Sequence, residues 1–198
     1  MKDSVFGENK IQYQQHTEIK RFFVNVSWTH KIQIKQSDIY LQKKNCLNKI
    51  KIVTSALISS GILAIIFVDE KIINVVTACI SFISLTINAL DKTSDYEQMY
   101  LKTKRDSDAL WELREKTLAL LYAVSYNTLS EEKIMQEFTI LFNERKKLYS
   151  QLLTASPEAV NQASDAIYKS KDNNYREEEE HLIPEELLSI KEQRNDVK

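Results

Sequence analysis

The chain has 198 residues, a formal net charge of −1, and 28% Asp, Glu, Lys and Arg. It contains only two glycines and two prolines, which all but excludes glycine-rich phosphate-binding loops and folds built on tight hairpin turns. The local balance of acidic and basic residues argues against strong nonspecific nucleic-acid binding. The composition therefore predicts an almost entirely helical protein.

The N-terminal segment, residues 1–26, is polar and has no strong hydrophobic period, so we interpret it as a cytoplasmic extension rather than a secretion signal. Ser27 is a good helix-capping residue, and no Gly or Pro follows it before the first apolar run. This pattern predicts a cytoplasmic helix over residues 27–51 that enters the membrane. Its apolar stripe recurs every seven residues, at Ile32, Ile39 and Cys46.

Two uncharged apolar runs, residues 52–68 and 72–90, dominate the sequence and are separated by Asp69, Glu70 and Lys71. Each run approaches the roughly 20 residues with which an α-helix crosses ~30 Å of hydrocarbon. A single continuous helix would place the three charges mid-membrane at ~2.5–3.5 kcal/mol each, so we expect the chain to turn there. The alternative is a soluble protein that buries both helices, but little protein remains to cover them. The sequence predicts an all-α membrane protein in which a two-helix transmembrane hairpin is continuous with a cytoplasmic helical bundle.

Basic residues flank both outer ends of the hairpin, whereas the connection contains Lys71 alone. The flanking set is Lys43, Lys44, Lys49, Lys51, Lys92, Lys102, Lys104 and Arg105. Because basic residues stay on the cytoplasmic side, we expect a multi-pass membrane protein with both termini in the cytoplasm. Cys46 and Cys79 are expected to be free thiols.

A polar stripe runs along the second apolar segment at intervals of three and four residues, which is the spacing of one helix face. Its members are Asn74, Thr77, Ser81, Ser84 and Asn88. Asparagine must find hydrogen-bond partners where water is absent, so this face should meet protein or an aqueous path. Two interpretations stay open: the stripe holds the hairpin together, or it lines a pore between assembled hairpins.

Small residues in the first apolar segment predict a separate helix-packing face, formed by Ala56, Ser60 and Ala64 with Gly61 beside it. Their size permits a neighbouring helix backbone to approach closely.

Beyond the hairpin, residues 91–172 predict a cytoplasmic helical region. A long helix is expected from Asp91 to about Tyr126, because the segment lacks Gly and Pro. Its apolar face comprises Leu110, Leu113, Thr117, Leu120 or Leu121, and Val124. Ser130 should cap the second helix of this region. Ser156, which is followed by Pro157, should cap the third. Residues 173–198 predict an acidic tail with one short helix.

No catalytic or metal-binding pattern is evident in the sequence. His16, His30 and His181 lie in distant segments, and neither cysteine is near a histidine. We therefore expect a protein that is not an enzyme and needs no cofactor or metal.

Several short motifs in a fixed order resemble the SLATT family, the SMODS- and SLOG-associating two-transmembrane effectors of bacterial conflict systems. Before the hairpin these are Trp28-Thr29-His30-Lys31-Ile32-Gln33 and Leu47-Asn48-Lys49-Ile50-Lys51. Within and after it are Ile80-Ser81-Phe82-Ile83-Ser84, Asp95-Tyr96, and Leu110-Trp111-Glu112-Leu113-Arg114-Glu115-Lys116. The resemblance covers about residues 27–170.

The resemblance implies a pore-forming or membrane-disrupting effector of bacterial antiviral conflict systems that stays inactive until a partner signals infection. The polar stripe and the hairpin add the hypothesis that it oligomerises and permeabilises the bacterial inner membrane, which causes growth arrest or cell death. The implied partners are nucleotide-synthesising enzymes, nucleotide sensors or reverse transcriptases. The alternative is a membrane-anchored scaffold whose helices recruit a cytoplasmic partner. No catalytic residue is implied, and the chain shows no nucleotide site of its own, which favours gating through protein contact.

Overall fold

The computed structural model describes residues 2–67 and 71–171, with side chains from residue 14 onward except residues 63–70. Every regular element in these ranges is an α-helix. The helices are α1 (Lys2–Phe67), α2 (Lys71–Ser94), α3 (Tyr96–Ser125), α4 (Glu131–Tyr149) and α5 (Pro157–Tyr168). The predicted helical class is thus confirmed for the described residues. The predicted turn at Asp69 and Glu70, the side chain of Ala64 and the predicted acidic tail lie outside them.

Helix α1 is the element on which the rest of the fold is assembled. Its 66 residues extend roughly 100 Å at ~1.5 Å per residue, and α2, α3, α4 and α5 all pack against it. Ser27 lies in the interior of α1, so no helix begins there as the capping pattern predicted. The physical reason is an apolar face upstream of Ser27, because Ile19, Phe22 and Val26 are buried at helical spacing.

The second difference from expectation is a break after the hairpin. Residues 91–126 do not form one helix, because α2 ends at Ser94 and α3 begins at Tyr96. Asp95 between them has φ 40° and ψ 47°, a left-handed conformation that Asp tolerates better than most residues. Its side chain accepts a hydrogen bond from the backbone N–H of Gln98 at 3.2 Å, so the same residue caps α3.

The later helix starts agree with the sequence. The Ser130 hydroxyl accepts from the N–H of Lys133 at 3.4 Å, and the Ser156 hydroxyl accepts from the N–H of Ala159 at 3.2 Å. Pro157 occupies the first turn of α5, where its missing N–H costs nothing. The predicted caps at Ser130 and Ser156 are confirmed.

The main core joins α1, α3 and α4 in one cluster. The predicted apolar face of α3 is buried, including Thr117, whose hydroxyl donates to the Leu113 carbonyl at 2.7 Å. The fully buried apolar members are Ile19, Phe22, Val26, Leu110, Leu113, Leu120, Val124, Ile134 and Leu141. Phe22 meets Phe138 edge to face, with ring centroids 5.4 Å apart. The apolar run near the end of α1 and helix α2 extend beyond this core.

Candidate functional site: the polar faces of the hairpin

The apolar part of α2 is largely uncovered by the described protein. The helical stretch Lys71–Ser125, bent at Asp95, contains an 18-residue window with mean hydropathy 1.9, and only 11% of that window is buried. Among the described residues it is the one stretch long and apolar enough to cross a membrane. Large apolar side chains such as Ile72, Phe82 and Leu85 are about 70% exposed, unlike those of a soluble core helix.

Helices α1 and α2 pack against each other through residues that alternate at three- and four-residue intervals. The less exposed positions mark this contact. On α1 they are Lys44, Leu47, Lys51, Thr54, Ile58 and Gly61, and on α2 they are Ile73, Thr77, Ile80, Ser84, Ile87 and Asp91. This 3.5-residue period is the spacing of a two-helix coiled coil.

Where the apolar runs meet the bundle, one ion pair joins α1 to α2 and a second joins α1 to the first turn of α3. Lys51 binds the Asp91 carboxylate, and Lys44 Nζ lies 2.7 Å from Glu97 Oε1. The side chains of the first pair are 27% and 30% exposed, so water reaches them only in part. The partly shielded Lys51–Asp91 pair favours one register of α1 against α2 at this end of the hairpin.

Helices α1 and α2 also approach each other closely deeper in the hairpin, at Gly61. A Cβ atom placed on Gly61 would lie 2.5 Å from Thr77 Oγ1 and 3.3 Å from Thr77 Cβ. Only a hydrogen fits in this space. Glycine at this position therefore permits the packing of Thr77 against α1.

The predicted polar stripe divides into two sets. Thr77 and Ser84 are half-buried in the contact with α1, whereas Asn74, Ser81 and Asn88 are exposed. The exposed three recur every seven residues, so they form one line along α2 that borders the contact with α1. We call this line the outer polar line. The Ser81 hydroxyl donates to the Thr77 carbonyl of its own helix at 2.8 Å.

The small-residue face of α1 points away from α2. Ala56 and Ser60 are exposed, and the Ser60 hydroxyl donates to the Ala56 carbonyl at 2.9 Å. Within one chain these residues do not form the α1–α2 contact, which runs through Thr54, Ile58 and Gly61. Their role as a packing face stays a prediction, now for contact with another helix.

Polar side chains on α1 that the sequence analysis did not single out hold the segment leading into α5. Gln33 and Gln36 are 3% and 2% exposed. Gln33 Nε2 donates to the Leu153 carbonyl at 3.3 Å, and Gln36 Oε1 accepts from the N–H of Ser156 at 2.7 Å. Their spacing continues that of Ile19, Phe22 and Val26, and this continuation is the signal that could have identified them.

Two titratable groups in the bundle are shifted by burial. Burial, reinforced by the nearby Arg114, lowers the pKa of His30 from 6.5 to about 4. Burial also raises the pKa of Tyr149, whose hydroxyl lies 2.8 Å from Thr29 Oγ1 and 2.9 Å from Asn25 Oδ1. Both groups are held neutral at physiological pH, which suits a structural contact between helices.

Comparison with known proteins identifies the family but no individual relative. The family model described as SMODS and SLOG-associating 2TM effector domain family 4 matches residues 16–179. No curated protein and no solved structure matches the chain. The family match spans the hairpin, the helices α3 to α5 and most of α1. The chain therefore belongs to SMODS and SLOG-associating 2TM effector domain family 4.

Proposed function

We propose that the chain is a membrane effector of a bacterial anti-phage defence system. It inserts as a two-helix hairpin in the inner membrane, with both termini in the cytoplasm. On activation it oligomerises to form a pore or disrupt the membrane, which arrests growth or kills the cell. The family supports the effector role in conflict systems, and the outer polar line supports the assembly step.

The observation that carries this proposal is the exposure of Asn74, Ser81 and Asn88 in one line along a largely apolar helix. An amide group that has no hydrogen-bond partner in hydrocarbon costs several kcal/mol, the free energy of transferring it from water to an apolar solvent. A lone hairpin leaves two such amides outside its own contact face. Association of hairpins through the outer polar line would give them partners or enclose water.

Activation is assigned to a protein partner. The chain offers no glycine-rich phosphate loop, so nucleotide recognition belongs in this proposal to a nucleotide-synthesising enzyme, a nucleotide sensor or a reverse transcriptase. The bundle of α1, α3, α4 and α5 supplies the surface for such a partner. No catalytic step by this chain is part of the proposal.

The test is membrane potential in bacterial cells that express the chain together with the neighbouring genes of its locus. We expect depolarisation on induction, and Ser81→Leu or Asn88→Leu should reduce it while membrane insertion is unchanged. Thr86→Leu is the matched control, because Thr86 is exposed on another side of α2 and its hydroxyl also donates to its own helix, to the Phe82 carbonyl at 3.0 Å. Equal depolarisation in all variants would contradict a role for the outer polar line.

A membrane-anchored scaffold is the second candidate function. It is favoured by an open groove of about 1220 Å³ at the base of the bundle, where α3 meets the end of α4. Met99, Leu101 and Leu148 give it apolar surface. Its charged lining is mixed, since Lys102 and Arg105 lie beside Asp95 and Asp106. Replacement of residues 52–90 by an unrelated hairpin separates the two functions, because a scaffold would keep its activity and a pore-forming effector would lose it.

A further inference from the structure

A shallow groove of about 530 Å³ follows one face of α1. It is lined by Thr17, Lys20, Arg21, Val24, Asn25 and Trp28. Val24 is 58% exposed, and the basic Lys20 and Arg21 are also exposed. The groove thus combines an apolar floor with two cations on its rim, an arrangement that suits an acidic peptide bearing an apolar residue.

Helix α5 packs along α1 and ends close to this groove. At the start of α5 the N–H of Ser156 donates to Gln36, and at its end the Tyr168 ring lies 6.4 Å from the Trp28 ring. The chain therefore runs antiparallel to α1, from the level of Gln36 to that of Trp28. Trp28 therefore contacts the last residue of α5 and also lines the groove.

The sequence beyond α5 has the complementary character. Four consecutive glutamates, residues 177–180, are followed by His181, Leu182 and Ile183. These residues lie outside the described ranges. Eight residues lie between Tyr168 and Glu177. The nine Cα–Cα steps can extend up to ~30 Å, whereas the distance from Trp28 to Lys20 along α1 is ~12 Å. The chain is therefore long enough to place the acidic run beside the groove.

We propose that residues 177–183 of the same chain bind in this groove, with glutamates paired to Lys20 and Arg21 and an apolar residue on Val24. Arg21 already lies 3.0 Å from Glu18, but both side chains are more than 60% exposed. Such a surface pair contributes little to stability, and the guanidinium has further N–H groups that can donate to a second carboxylate. The proposal does not depend on pore formation.

Photo-cross-linking tests it on the full-length protein in lipid nanodiscs. Val24→p-benzoylphenylalanine should form a cross-link within one chain, and mass spectrometry should locate it in residues 177–183. The same probe at Ile140, which is 57% exposed on α4, is the control and should not capture this segment. A mixture of isotopically light and heavy protein distinguishes a link within one chain from a link between copies.

Charge reversal tests the recognition. Lys20→Glu with Arg21→Glu should lower the yield of the cross-link about fivefold or more, the effect of losing two surface ion pairs. Adding Glu177→Lys and Glu178→Lys should restore it. The proposal would be overturned if the probe captured only another copy or lipid, or if the cross-link yield were unchanged by all four substitutions.

Discussion

At the residue scale, Gly61 limits how closely α1 and α2 can pack. Gly61→Ala should destabilise the hairpin by about 1–3 kcal/mol, because its Cβ would overlap the Thr77 side chain. Adding Thr77→Ala should recover most of the loss, since the remaining Cβ of residue 77 lies 3.3 Å away. Thermal unfolding in detergent measures the effect, and Ser59→Ala, at an exposed neighbour, is the control. Equal melting temperatures for all four proteins would contradict this packing.

His30 gives the bundle an acid-sensitive contact. Its pKa of about 4 in the folded chain lies below the usual 6.5, so between these values the unfolded chain binds a proton that the folded chain excludes. Stability should therefore fall as the pH decreases from about 6.5 to about 4, with no further loss from this group below that range. His30→Gln should flatten this part of the pH profile of chemical unfolding. A profile unchanged by the substitution would show that other groups cause the acid sensitivity.

At the element scale, the docking of α5 depends on one buried side chain. Gln36→Leu removes the acceptor for the N–H of Ser156 and leaves that donor unpaired, at a cost of about 1–3 kcal/mol. Amide hydrogen exchange in residues 157–168 should accelerate, while exchange in α4 should stay unchanged. Gln42→Leu, at an exposed position of α1, should have no such effect. Equal protection of α5 in both variants would mean that its alanine face alone holds it.

The helix boundaries show which elements the sequence could predict. The helix starts at Ser130 and Ser156 were predictable, because each serine is followed directly by residues that favour the first turn of a helix. These are two glutamates after Ser130 and a proline after Ser156. The continuity of α1 through Ser27 was not predictable, because it depends on α3 and α4 covering Ile19, Phe22 and Val26. The break at Asp95 was missed because a left-handed Asp has no distinct pattern when Gly and Pro are absent.

The candidate site was predictable in composition but not in orientation. The spacing of the polar stripe identified one face of α2, yet that face is about 80° wide and its two edges have different neighbours. Thr77 and Ser84 meet α1, and Asn74, Ser81 and Asn88 do not. Which edge faces α1 depends on the register set by Gly61 and the Lys51–Asp91 pair, and a single-helix pattern does not contain this information.

At the scale of the whole molecule, the two native cysteines can report the proposed topology. Cys46 is exposed on α1 five residues before Lys51, at the bundle end of the hairpin, and Cys79 is exposed within the apolar run of α2. If both termini are cytoplasmic, a membrane-impermeant maleimide should label Cys46 in inside-out vesicles but not in spheroplasts. Cys79 should stay unlabelled in both, because in the proposed topology lipid surrounds it and a membrane-impermeant reagent does not reach it.

The variants Cys46→Ser and Cys79→Ser assign each signal to one thiol, and solubilisation in detergent should make Cys79 reactive. Labelling of Cys46 in spheroplasts would reverse the proposed orientation while leaving the hairpin intact. Rapid labelling of Cys79 in sealed vesicles would instead place its side of α2 in water. Since Cys79 lies on a different side of α2 from Asn74, Ser81 and Asn88, that result would move the aqueous face away from the outer polar line and contradict the pore arrangement proposed here.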